Sequence, residues 1–248
     1  MKVKRVLVSQ PEPENSEKSP FVDLAEQFNL SITFRKFIKI ERIGAKEFRK
    51  QRINIPEYSA IIFTSKNAVD HFFGLCEELR VNIDDSMKYF CTSEAIALYL
   101  QKYIQYRKRK IFYGKSNFED LLELIKKQKT EKYIFPCAEN HKKDIPKLLS
   151  ENKVKFVSAP IYRTVSDDLS EVAVDNYDLL VFFSPFGIKS LKENFPEFKQ
   201  NNKLIATFGS LTAEAVKEAG LKLNICAPTQ KAPSMTMAIE EYLKSQKK

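Results

Sequence analysis

The chain has 248 residues, with 41 Lys and Arg set against 32 Asp and Glu for a formal charge of +9. Its 43% apolar and 29% charged residues are those of a globular chain able to bury a sizeable core, which excludes a disordered, collagen-like or coiled-coil protein. Surplus positive charge points to an anionic partner rather than to a fold.

Along the chain, short runs rich in Val, Ile, Phe and Tyr alternate with longer amphipathic segments, the pattern of βαβ units and parallel sheets. Strand Arg5–Ser9 comes first. The apolar run around it is too short for a secretory signal, and Pro11 stops it. Helix Pro20–Asn29 and strand Ser31–Ile40 follow, then strand Ala60–Thr64, helix Lys66–Leu79, strand Met87–Cys91 and helix Ser93–Tyr103. The middle of the chain reads as strand Lys110–Tyr113, helix Phe118–Gln128, strand Lys132–Pro136, helix His141–Asn152 and strand Lys155–Pro160. The remainder reads as strand Asp178–Ser184, helix Phe186–Phe195, strand Lys203–Phe208, helix Ser210–Ala219, strand Leu221–Cys226 and helix Ala232–Lys244. Residues Lys244–Lys248 read as a frayed basic end.

So many strands fit two open sheets of about five better than one. Segments Ser31–Ile43 and Lys155–Val165 are too long for single strands and read as connectors, each leaving one sheet for the other. The expected organisation is therefore a discontinuous domain of residues 1–36 plus 167–248, with a second domain, 37–166, inserted into it. An internal echo agrees with duplication: Ile62–Val69 aligns with Phe182–Ile188, Ser65 falling on Ser184, and Met87–Leu98 aligns with Leu204–Val216, Cys91 falling on Gly209.

No GxGxxG, GxxxxGK[ST] or GxSxG motif is present. His71 and His141 are the only histidines, and no Cys or carboxylate stands at ligand spacing from them, so no metal site is expected. Cys76, Cys91, Cys137 and Cys226 are far apart and read as buried free thiols of a reducing compartment. No stretch approaches the roughly 18 apolar residues of a membrane span. Hydroxyl residues instead gather where strands end and helices begin: Ser9, Thr64 and Ser65, Thr92 and Ser93, Ser184, Ser210 and Thr212. Ser and Thr are ordinary helix N-caps, yet the carboxyl edge of an open α/β sheet is also where ligands bind and where helix N-termini attract anions. Tyr162, on the second connector, is a candidate proton donor as well as a packing residue. Lys102–Lys110, with Tyr103 and Tyr106, reads either as a nucleic-acid patch or as a solvated loop.

Phe63-Thr64-Ser65-Lys66-Asn67-Ala68-Val69, Tyr162, Phe183-Ser184-Pro185-Phe186-Gly187, the segment Thr207–Ala215 and the closing Ala227-Pro228-Thr229 together resemble, in order and spacing, the motifs of the uroporphyrinogen-III synthase family. The resemblance implies two α/β domains, one inserted in the other through a two-stranded connector, with the active site in a cleft. It also implies a cofactor-free, monomeric, cytoplasmic lyase that needs neither nucleic acid nor membrane. The implied reaction cyclises the linear tetrapyrrole hydroxymethylbilane with inversion of its last ring and loss of water, through an azafulvene and a spiro intermediate. Tyr162 then matches the tyrosine that assists hydroxyl departure. Ser9, Thr64, Ser65, Lys66, Asn67, Ser184, Pro185, Gly209, Ser210 and Thr212 match positions that hold substrate carboxylates. Departures from the family pattern are Gln10, Cys91, Glu94 and Cys137.

Overall fold

The computed structural model describes residues 3–15, 19–115, 117–141 and 143–246. Lys142, within an expected helix, and Lys247 and Lys248 of the basic end lie outside the described residues. The chain divides into two compact units, Met1–Lys39 with Thr164–Lys248, and Ile40–Arg163.

The first unit holds a five-stranded, wholly parallel sheet of β1 (Arg5–Val8), β2 (Ser31–Phe34), β9 (Leu179–Phe182), β10 (Leu204–Phe208) and β11 (Ile225–Ala227) in the spatial order β11-β10-β9-β1-β2. Both faces are covered, so the strands are apolar on both sides and alternate residues feed different cores. Val6, Val8, Leu179 and Val181 join α1 (Pro20–Phe28) and α9 (Met235–Ser245) on one face. On the other, Leu7, Leu180 and Phe182 join α7 (Pro185–Asn194) and α8 (Ser210–Glu218).

The second unit repeats the plan with six strands: β3 (Ile38–Arg42), β4 (Ala60–Phe63), β5 (Lys88–Cys91), β6 (Ile111–Tyr113), β7 (Tyr133–Ala138) and β8 (Phe156–Ser166), in the order β3-β8-β7-β4-β5-β6. β4 through β8 are parallel. Ile61 and Phe63 pack with α3 (Lys66–Leu79) and α4 (Glu94–Tyr99) on one face. Ala60 and Ile62 pack with α5 (Phe118–Lys126) and α6 (Asp144–Glu151) on the other. Among the described residues, no helix is long and apolar enough to cross a membrane.

The expected strand Ser31–Ile40 is two strands in different sheets. Between them Phe37 is buried in the first unit's core, while Arg35 bonds to Asp167 and to the Asp168 carbonyl, so a tertiary anchor breaks the run. The second connector does not change sheets: Phe156–Ser166 is one continuous strand of the six-stranded sheet. Its neighbour β3 runs antiparallel to it, since Ile43 N–H donates to the Ile161 carbonyl and Asp167 N–H to the Phe37 carbonyl. Against β7, β8 carries one surplus residue: Pro160 pairs with Cys137 but Tyr162 with Ala138, leaving Ile161 as a bulge. The expected strand Leu221–Cys226 shrinks to Ile225–Ala227, because Leu221 and Leu223 pack into the core from a loop. Short helix α2 (Ala45–Phe48) had no periodic signal of its own.

Candidate active site

Each sheet has one point at which consecutive connections leave in opposite directions, and ligands of open α/β sheets bind outside the strand carboxyl ends at such points. In the first unit it lies between β1 and β9, where Ser9 and Ser184 follow the two strands. In the second it lies between β4 and β7, where Thr64 and Ser65 stand beside the end of β7.

Around the first point, the Ser184 hydroxyl caps α7 by accepting from Gly187 N–H, with Pro185 in the first turn, where its missing N–H is harmless. Ser9 donates its N–H to the Val181 carbonyl. No helix starts at Ser9, contrary to expectation, because Pro11 and Pro13 intervene before α1 at Pro20. One strand further out, Gly209 rather than Ser210 occupies the cap of α8, at φ +88°, where a side chain is strained. Its N–H is spent on the Ala227 carbonyl, and among the described residues no side chain caps the helix. The first turn of α8 therefore opens toward solvent, with Ser210 exposed and Thr212 buried beneath it. Such a turn carries partial positive charge and free donors for an anion.

Around the second point, the Ser65 hydroxyl caps α3 by accepting from Ala68 N–H at 3.1 Å. Thr64 is half-buried, Lys66 and Asn67 are exposed, and the Lys66 ammonium lies 5.3 Å from the centroid of the Tyr99 ring. Tyr162, two strands from β4 on β8, is half-buried, with the Ser65 side chain near enough to influence its phenol. Burial raises its proton affinity, Ser65 partly offsets this, and nearby Cys137 adds to the rise. The phenol thus keeps its proton at neutral pH. Arg163, next in sequence, turns to Glu47, with Glu139 3.8 Å away.

Two groups on or beside α3 escaped sequence reasoning. His71 stacks on the Tyr162 ring, centroids 5.1 Å apart and planes at 26°. Arg42, itself exposed, lays its guanidinium alongside α3 over Gly74, where a Cβ would stand 2.1 Å from it and make it shift. His71 was hidden by its apolar neighbours Val69, Phe72 and Phe73, which do face the core.

Other expectations change. Cys76, Cys91 and Cys137 are buried, each pushed up to about 12 by burial, but Cys226 is exposed because it faces outward from edge strand β11. Cys91 is a strand residue and not the counterpart of Gly209 in the second unit; the cap position there is Ser93. Glu94 accepts a hydrogen bond from Tyr113 at 3.1 Å. In the Lys102–Lys110 segment, Tyr103 stacks on Phe73 at 4.6 Å and gives its hydroxyl to Asp70, which also pairs with Lys102, while Arg107 pairs with Asp85. Tyr103 is thus engaged with residues of α3. Among the described residues, no three His, Cys, Asp or Glu gather as a metal would need.

A profile of the HEM4 family, described as uroporphyrinogen-III synthase HemD, matches residues 19–237. The chain is 24% identical to uroporphyrinogen-III synthase of Chlorobaculum parvum (strain DSM 263 / NCIMB 8327), over 274 aligned positions covering 98% of this chain and 100% of that protein. Its fold is similar to that of uroporphyrinogen-III synthetase from Helicobacter pylori 26695, with a TM-score of 0.56 at 18% identity over 98% of this chain and 99% of that one. Since the family profile runs through both units, from before α1 into α9, the chain belongs to the uroporphyrinogen-III synthase family of cyclising lyases in tetrapyrrole biosynthesis.

Proposed function

We propose that this chain closes hydroxymethylbilane into uroporphyrinogen III, with Tyr162 as proton donor to the departing hydroxyl. The family match over residues 19–237 carries the activity, and the neutral, half-buried Tyr162 phenol beside Ser65 supports the role of donor. The phenol proton leaves with the terminal hydroxyl as water, and electrons from the pyrrole nitrogen form an azafulvene. The substituted carbon of the last ring attacks to give a spiro intermediate, which fragments and recloses through the free α-carbon with that ring inverted, and the proton lost from that carbon restores the phenol. Little covalent work falls to the protein, and rate comes from folding a reactive chain into one geometry among preorganised donors. The open first turn of α8, with Gly209, Ser210 and Thr212, is the strongest carboxylate subsite of the first unit. Ser9, Ser184 and Pro185 flank it, and Thr64, Ser65, Lys66 and Asn67 serve the second. The protein acts as a cytosolic monomer that needs no cofactor.

The test is incubation of the purified chain with freshly generated hydroxymethylbilane, followed by chromatographic separation of the isomers. Uroporphyrinogen III is expected as the dominant product. Only the type I isomer, at the spontaneous rate, overturns the proposal.

A further inference from the structure

A regular β8 would point Tyr162 to the same side as Ser158 and Pro160, since side chains alternate along a strand. The surplus residue in β8 changes this: Ile161 and Tyr162 both pack against the cluster that contains the buried side chains of α3. The bulge therefore turns the phenol toward α3, at whose N-terminus Ser65 stands. A bulge is a loosening as well as a turn, and the ring it redirects needs a second surface to fix it. His71 is that surface, stacked at 5.1 Å and nearly parallel. Its Nδ1 is buried and has no hydrogen-bond partner among the described residues, and the ring presents a face to Tyr162. Burial first, and then the Arg42 charge, lower its proton affinity, opposed by Asp70, so the platform is a neutral ring. A charged ring there would favour phenolate over phenol and weaken the donor.

We infer that His71 is a positioning residue for the cyclisation: its imidazole holds the Tyr162 phenol in the orientation set by the Ile161 bulge, facing Ser65. The inference rests on the reading of Tyr162 as proton donor. His71 touches neither substrate nor reacting atoms; it acts through Tyr162.

The experiment compares the full chain with His71→Ala, His71→Phe, Tyr162→Phe and the double variant His71→Ala/Tyr162→Phe, each assayed with freshly generated hydroxymethylbilane. His71→Ala is expected to lower kcat about tenfold with KM within about twofold, because a misaimed donor costs turnover rather than binding. His71→Phe, which restores a flat face, is expected to recover at least about half of kcat. The double variant should be no slower than Tyr162→Phe alone. Wild-type kcat in His71→Ala, or losses that multiply in the double variant, overturns the inference. Should His71→Ala fail to fold, His71→Leu fills the space without a flat face and takes its place.

Ultraviolet titration of the phenol, taken as the difference between each His71 form and its Tyr162→Phe partner, separates the two readings. If Tyr162→Phe turns over normally, the donor reading falls and the titration alone decides the positioning. Ionisation that moves down toward that of an exposed tyrosine in His71→Ala supports it, and an unmoved curve overturns it.

Discussion

A phenol can serve as an acid only while it holds its proton, and burial strengthens the hold of the Tyr162 phenol on its proton while Ser65 moderates the rise. Tyr162→Phe keeps the ring and its stacking, so it is expected to lower kcat by about an order of magnitude or more while leaving the melting temperature nearly unchanged; initial rates and a thermal melt check both. The cysteines behave oppositely, as buried groups without a task. Cys76, Cys91 and Cys137 hold their protons far above neutral pH, whereas Cys226 faces solvent. A water-soluble disulfide reagent should therefore label Cys226 alone in the native protein and all four thiols after denaturation, as counted by released chromophore. At this scale the sequence was legible where identity alone decides: a tyrosine on a connector and hydroxyls at strand ends. It hid His71, because an apolar helix face conceals a histidine that meets its partner from a distant strand, and the stack depends on a bulge no local pattern announces.

Among the elements, α3 is tied to the turn after α4 through one carboxylate. Burial pushes Asp70 upward, but donors from Tyr103, Tyr99 and Lys102 outweigh it and hold its proton affinity below the ordinary aspartate value. A group depressed in the folded state contributes stability above its unfolded value, and loses it as pH falls through the folded one. Wild type should accordingly melt above Asp70→Asn near neutrality, and the gap should close as pH falls below the ordinary aspartate range, as thermal melts across pH will show. In α8 the cap is a backbone matter. Nothing crowds a Cβ at Gly209, so Gly209→Ala is opposed by its φ of +88° alone, at a cost of about 1–2 kcal/mol in urea unfolding, with a raised KM from the displaced first turn. Helices such as Lys66–Leu79 were readable to the residue because an amphipathic period and a serine cap are local signals. The split of Ser31–Ile40 was not, because Phe37 and Arg35 break the strand only by meeting a core and a carboxylate supplied by distant sequence.

Taken as a whole, the molecule is two repetitions of one plan, a mainly parallel sheet with two principal helices on each face and two cores of its own. That plan was legible from the alternation of apolar runs with amphipathic segments; the sheet membership of each connector was not, since the same extended residues suit either sheet. Both cores of the second unit draw on residues between Ile43 and Tyr162, so the fragment 40–163 expressed alone should fold and melt in a single cooperative transition by circular dichroism. A broad, non-cooperative melt would show that it depends on the remainder. The antiparallel run of β3 beside β8 adds a consequence for the order of folding. A folded second unit brings Lys39 and Thr164 close together, acting on the first unit as a cross-link would. It spares that unit the closure of a loop on the order of 100 residues, an entropic saving of about 4–5 kcal/mol. The path of the chain thus favours the continuous unit folding first and templating the interrupted one, so a lesion in the core of the second unit should slow the assembly of the first without touching any of its residues.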